Sequence, residues 1–124
     1  MSEEKINKLI HEKLMGGCWH ECEPYSRQCI NCEEWAIPLP VTHPDYCNSI
    51  SDAFIAVEKM REKYEIYFTF QTHNNCVSAY RLEDFGEHQK CAMDFIGNPV
   101  FADSLPLAIS TAIARILEEG KKDE

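Results

Sequence analysis

Cys18, His20, Cys22, Cys29 and Cys32 have the residue types and the spacing of metal ligands. They read as C-x-H-x-C followed, after six residues, by C-x-x-C. A C-x-x-C pair can set two thiolates on one ion, and a second pair closes the tetrahedron that structural zinc prefers. Five donors compete for four places, so either His20 or Cys22 is left over unless the spare one supports the site from outside. One structural zinc ion per chain is the expectation. Glu21, Glu23, Glu33 and Glu34 are near enough in sequence to act as bases beside a catalytic zinc, but His20 is followed directly by Glu21 and the H-x-E pattern of zinc deaminases is absent. Cys29-x-x-Cys32 does not lie between a strand and a helix, as a thioredoxin-like redox motif would.

Seven cysteines are an odd number, and the charged N-terminus MSEEKINKLIHEKL is no secretory signal, so a disulfide framework is the weaker explanation. Cys47 lies apart from the cluster. Cys76 and Cys91 fall on alternating strand positions beside Val77 and Met93, where cysteine behaves as a small buried hydrophobe. His11 on the polar side of the first helix, and His43, His73 and His88 in loops, are expected to be solvated.

The elements that must position these groups follow from periodicity. Ile6, Leu9, Ile10 and Leu14 form one buried stripe of a helix over residues 3–15, ended by Gly16-Gly17. Residues 17–48 lose all periodicity and carry Pro24, Pro38, Pro40 and Pro44, an irregular segment that needs an internal staple. Ser49 and Asp52 resemble a capping box for a second helix, where Ile50, Ala53, Phe54, Val57 and Met60 continue to about Lys63. From Glu65 the period becomes two: Ile66, Phe68 and Phe70 form a strand, 72–75 a turn, and residues 76–82 and 90–96 two more strands split by an acidic loop over 83–88. Gly97-Asn98-Pro99 is expected to break the third strand. Ser104 and Pro106 open a last helix carrying Leu105, Ala108, Ile109, Ala112, Ile113, Ile116 and Leu117, and Gly120 closes it. Ile66, Phe68, Phe70, Met93 and Phe95 are expected to face the core with Ile109, Ile113 and Ile116.

The chain is expected to be a single α+β domain over residues 1–124, with helices covering a three-stranded antiparallel sheet. Its 124 residues can bury one modest core. With 12 Lys+Arg against 21 Asp+Glu the formal net charge is -9, which opposes a broad grip on DNA or RNA phosphates. No apolar run reaches membrane-spanning length. A cytoplasmic location is the expectation.

Residues 6–16 (INKLIHEKLMG), 44–54 (PDYCNSISDAF), 57–60 (VEKM) and 105–109 (LPLAI) together resemble the phage ABA-sandwich domain family over nearly the whole chain. The resemblance implies a sheet packed between helical layers, an α-β-α sandwich with the zinc knuckle inserted after the first helix. Some members carry a similar C-x-H…C-x-x-C insertion, and on that pattern Cys18, His20, Cys29 and Cys32 are the ligands while Cys22 departs from it. No catalytic motif comes with the family.

Two functions are expected to compete. By analogy with small phage-encoded proteins that counter host defence, the first is non-enzymatic capture of a nucleotide-derived signal. Its binding groups would be Tyr67, His73, Asn74, Asn75, Tyr80, Arg81, Lys90 and Arg115, with aromatic faces for the base and basic groups for phosphate. The second is a zinc-stapled interaction module or homo-oligomeric adaptor, anchored by exposed Trp19, Tyr25 and Trp35. The first ranks slightly ahead on context. An enzyme is not expected, since neither a Gly-rich phosphate loop nor a G-x-S-x-G elbow is present.

Overall fold

Ser2 opens the first helix by accepting the Lys5 N–H on its hydroxyl, and Glu3 and Glu4 favour the positive end of the helix dipole. The computed structural model describes residues 2–22, 26–35, 37, 42–83 and 92–122. Helix α1 spans Glu3–Leu9 and continues as a π-helical turn over Ile10–Leu14. It ends at Gly16, whose φ of 71° suits a residue without Cβ.

Helix α2 spans Ile50–Tyr64. The Ser49 hydroxyl accepts the Asp52 N–H, but the Asp52 carboxylate turns outward to take the Asp45 N–H, so the reciprocal bond of a capping box is replaced by one that anchors the preceding loop. Its buried stripe is Ala53, Ala56 and Met60, while Ile50 and Phe54 are exposed and Phe54 lies edge-on against Phe70. Glu65 in the left-handed region reverses the chain and delivers buried Ile66 into the core just before the sheet.

Strands β1 (Tyr67–Gln71), β2 (Cys76–Glu83) and β3 (Ala92–Phe101) form an antiparallel sheet in the order β1-β2-β3. Helix α3 (Leu105–Lys122) follows. It begins where the Ser104 hydroxyl accepts the Leu107 N–H, and it runs through Gly120 rather than stopping there. The described residues therefore form three helices and a three-stranded antiparallel sheet. Helix α3 lies against β2 and β3, and α2 lies against β1. Ile10, Leu14, Met60, Ile109 and Ile113 are fully buried between them, and Ile116 is partly buried against the same cluster.

Phe68, Val77, Ala79 and Val100 turn inward to this core, with Phe70 and Ile96 at its edge. Met93 and Phe95 do not. They are 45% and 55% exposed, because they pair with Leu82 and Tyr80 on the opposite face. The pairing with β2 fixes this, because Phe95 opposes Tyr80 and Met93 opposes Leu82, while the inward Phe68 and Ile96 both oppose Ala79. Val77 pairs with Val100 and Ala79 with Ile96, so β3 spends two more residues than β2 over the same stretch. Gly97, at φ 65° with open space around it, absorbs the bulge. Gly97-Asn98-Pro99 thus lies within β3 instead of ending it, and Ile96 and Val100 take the inward places.

The face opposite the helices carries Tyr67, Tyr80, Leu82, Met93, Phe95 and Phe101. Leu82, Met93, Phe95 and Phe101 stand exposed, so no described helix covers this side. Cys76 is buried, as expected, while Cys91, His88 and most of the 83–88 loop lie outside the described residues. No described helix is long and apolar enough to cross a membrane.

Candidate metal centre

The segment after α1 leaves the π-helical turn through two backbone bonds, Met15 N–H to the Ile10 carbonyl and Gly17 N–H to the His11 carbonyl. Gly17 lets the chain pass close to the His11 ring. A Cβ there would sit 2.5 Å from His11 Nε2. The chain then places Trp19 in a buried slot, stacked on His43 at 3.9 Å and edge-on to His11 at 6.0 Å. His11 Nδ1 also lies 3.4 Å from the Tyr46 hydroxyl. His11 is half-buried and is therefore a packing partner rather than a solvated side chain, His43 is exposed as expected while it stacks on Trp19, and Trp19 is an internal wedge rather than an exposed anchor. Trp35 is exposed, as expected of an anchor, and Tyr25 lies outside the described residues.

Two short backbone runs then face each other. Cys22 and Cys29 form an isolated antiparallel bridge, flanked by a bond from Ile30 N–H to the Glu21 carbonyl at 2.8 Å. Beyond Cys29 the chain turns tightly, with Glu33 N–H donating to the Cys29 carbonyl and Glu33 itself at φ 61°. This turn brings Cys29 and Cys32 to one side. Asn31 ties it to the first run through an Nδ2–H bond to the Trp19 carbonyl at 2.9 Å, and His43 Nε2 donates to the His20 carbonyl at 2.8 Å.

The result is a group of four donors, Cys18, His20, Cys29 and Cys32, whose ligand atoms all lie within 4.8 Å of one another. Cys18 Sγ is 3.8 Å from Cys29 Sγ, and Cys32 Sγ is 3.6 Å from His20 Nδ1. The other imidazole nitrogen, Nε2, faces the Glu34 carboxylate at 3.7 Å, an arrangement that orients a ligating histidine. Burial, aided by hydrogen bonds and charge from Cys32 and Cys29, pushes the Cys18 thiol up to about 12. Burial acts in the same direction on Cys29, but hydrogen bonds from the Cys32 backbone, the His20 side chain and the Glu21 and Asn31 backbones outweigh it and hold Cys29 down at about 6. The cluster thus concentrates its first negative charge on Cys29, and a cation placed among the four donors would relieve the protons held by the rest.

Cys22 is not in this group, although its residue type and spacing fit. Burial and the charges of Cys29 and Cys32 push its thiol up. Among the acids near in sequence, Glu21 pairs with Lys8 at 3.6 Å, Glu33 serves the turn, and Glu23 lies outside the described residues.

The groups expected to capture a nucleotide are not brought together. Tyr67 and Tyr80 stack at 5.7 Å on the open sheet face with Phe95 beside them. Arg81 follows Tyr80 in β2 and so points to the other face, in register with Asp94. His73 and Asn74 sit exposed in the β1–β2 turn, where the Asn75 amide donates to the Asp103 carbonyl. Arg115 lies on α3, lining a groove of about 800 Å³ that also contains Glu3, Asp103 and Glu118, acids unfavourable to phosphate. Lys90 lies outside the described residues.

Sequence reasoning missed the roles of Asn7, His11 and His43, and it offered Glu34 as a base rather than as the carboxylate that faces His20. Asn7 is buried in α1, donating to Asp45 at 3.1 Å and accepting the Cys47 N–H at 3.2 Å, which pins the end of the irregular segment. A polar residue beside Ile6 on the buried stripe was the available signal. His43 has none, because its partner Trp19 lies 24 positions earlier. No family model, curated protein or solved structure matches this chain.

Proposed function

We propose that this protein is a non-catalytic interaction module stapled by one structural zinc ion and working as a homo-oligomer. The donor spacing carries the zinc assignment. A tetrahedral ion with bonds of about 2.3 Å to sulfur and about 2.05 Å to nitrogen has S···S edges of about 3.8 Å and S···N edges of about 3.6 Å. The Cys18–Cys29 and Cys32–His20 separations match those edges. Four protein donors leave zinc no open position, which favours stapling over catalysis. A cytoplasmic setting, where thiols stay reduced, suits such a site.

The open sheet face supports the oligomer. Among the described residues, Tyr67, Thr69, Gln71, Cys76, Ser78, Tyr80, Leu82, Met93, Phe95 and Phe101 give that face no charge. Two chains of formal charge -9 meet with least repulsion through a neutral surface, and the same face on a second copy is its flat, apolar complement. The helical sandwich implied by the family resemblance needs a layer here, and we assign that place to the partner's sheet, packed at about 10 Å. Native mass spectrometry of protein prepared without chelator tests both parts. One zinc per chain in a two-chain species is expected; a metal-free chain overturns the staple, and a single-chain species at every concentration overturns the pairing.

Capture of a nucleotide-derived defence signal by a phage-type protein is the second reading, supported by the stacked Tyr67–Tyr80 pair as a surface for a base. It ranks lower because Arg81 and Arg115 lie away from that pair. Calorimetric titration with cyclic nucleotides decides it: binding that weakens with salt and returns unaltered ligand supports capture, and no heat across the panel removes it.

A further inference from the structure

We infer that Cys22 is the redox partner of Cys29, so that peroxide converts the metal-binding knuckle into a disulfide-linked form that no longer holds its ion. The inference rests on the metal reading for its consequence and on backbone geometry for its chemistry.

Cys22 and Cys29 face each other across an antiparallel bridge. Directly opposed residues alternate between two kinds, and the flanking Ile30 N–H to Glu21 carbonyl bond makes this the kind not hydrogen-bonded to itself. The Cys29 N–H agrees, since it donates to the Glu34 carbonyl and not to Cys22. In such pairs the Cα atoms are about 4.5 Å apart and both side chains leave on the same face. A disulfide needs Cα atoms roughly 4.4–6.8 Å apart, so the bridge is already within range without backbone movement.

The identity of the four-donor group makes the pairing consequential. Cys18, Cys29 and Cys32 are committed to the cluster, and Cys22 is the nearby thiol left out. Cys47 is buried in the core, and Cys76 is buried between Gln71 and Phe101 in the sheet.

The step balances with hydrogen peroxide as oxidant. Peroxide oxidises one of the two sulfurs to a sulfenic acid and leaves as water. The other sulfur attacks it, forming the S–S bond and releasing the sulfenic oxygen as a second water. Two thiols lose two hydrogens, and one peroxide becomes two waters. Cys29 then has no thiolate to offer, its bond to the ion breaks, and the three remaining donors release zinc to solvent. A dithiol reductant reverses the reaction.

The full-length chain loaded with zinc is treated with one equivalent of hydrogen peroxide. Zinc release is followed with a chromogenic chelator, and the cross-link is located by peptide mapping without reduction. The expected result is zinc release with loss of two thiols and a Cys22–Cys29 link. Cys22→Ser should still bind one zinc per chain and release it at least an order of magnitude more slowly under peroxide. Equal release from Cys22→Ser, or links confined to Cys18, Cys29 and Cys32, overturns the inference. A chain that binds no zinc refutes the metal reading instead. The same mapping on that metal-free chain then decides the inference alone, in favour if the Cys22–Cys29 link forms and against if it does not.

Discussion

Cys29 is where residue-scale electrostatics are most specific. Four hydrogen-bonding groups converge on one sulfur, and together they overcome the cost of burying its charge. In the metal-free chain one thiolate should therefore appear as pH rises through about 6, well below the ordinary thiol range, and the signal should vanish in Cys29→Ser. Thiolate absorbance in the ultraviolet checks this. The sign for metal binding follows. Above about 6 Cys29 is already ionised and releases no proton to the ion, whereas below it each ion bound must displace that proton too. Affinity measured by chelator competition should fall more steeply as pH drops through this value. Asn7 is the second decisive residue, because its amide satisfies both Asp45 and the Cys47 N–H from a buried position. Asn7→Ala leaves that N–H without its partner and should cost roughly 1–3 kcal/mol in a denaturant melt.

Elements divide into those that build the core and those that display a surface. β1 and β3 both carry large apolar residues, yet Phe68 is nearly buried and Phe95 is not. Phe68→Ala should cost roughly 3–5 kcal/mol, while Phe95→Ala should stay within about 0.5 kcal/mol. Chemical denaturation of the two variants at a concentration low enough to keep the chains apart would show which face meets the helices. The knuckle is an element of another kind. Its described residues meet the rest of the protein through Trp19, buried between His11 and His43, through the Glu21–Lys8 ion pair and through backbone bonds, and on the proposed reading a bound ion adds to its order. Chelation should speed amide exchange over 18–35 while the amides of α2, α3 and β2 stay protected.

Across the whole molecule, charge and the open sheet face act together. A chain of formal charge -9 resists its own association, and salt weakens that resistance. Pairing through an uncharged face should therefore tighten between low salt and about 0.5 M, the reverse of what nucleotide capture would show. Leu82→Glu and Phe95→Glu bring charge onto the face and should leave a folded single chain. Sedimentation velocity measures both effects, and an unchanged two-chain species in these variants would move the contact elsewhere.

How much the sequence determined depends on how local each decision is. The helix stripes of Ile6, Ile10 and Leu14 and of Ile109 and Ile113, the capping serines at 49 and 104, and the order of the three strands were legible because each is a pattern within a dozen residues. The metal donors were legible as a set of five, since thiol and imidazole spacing is itself local. Spacing left open which four converge, although the family resemblance implied Cys18, His20, Cys29 and Cys32, the four that do. That choice comes from the Cys22–Cys29 bridge and the turn at Glu33, which aim Cys29 and Cys32 toward Cys18 and His20. The inward face of β3 was likewise undetermined, because Met93 and Phe95 on one parity and Ile96 and Val100 on the other are all apolar. Only the register with β2, which sets Phe95 opposite Tyr80 and Ile96 opposite Ala79, decides between them, since shifting a strand by one residue exchanges its two faces, whereas the two extra residues at the Gly97 bulge leave them unchanged. Contacts such as Trp19 with His43 leave no periodic trace, so the tertiary structure alone could reveal them.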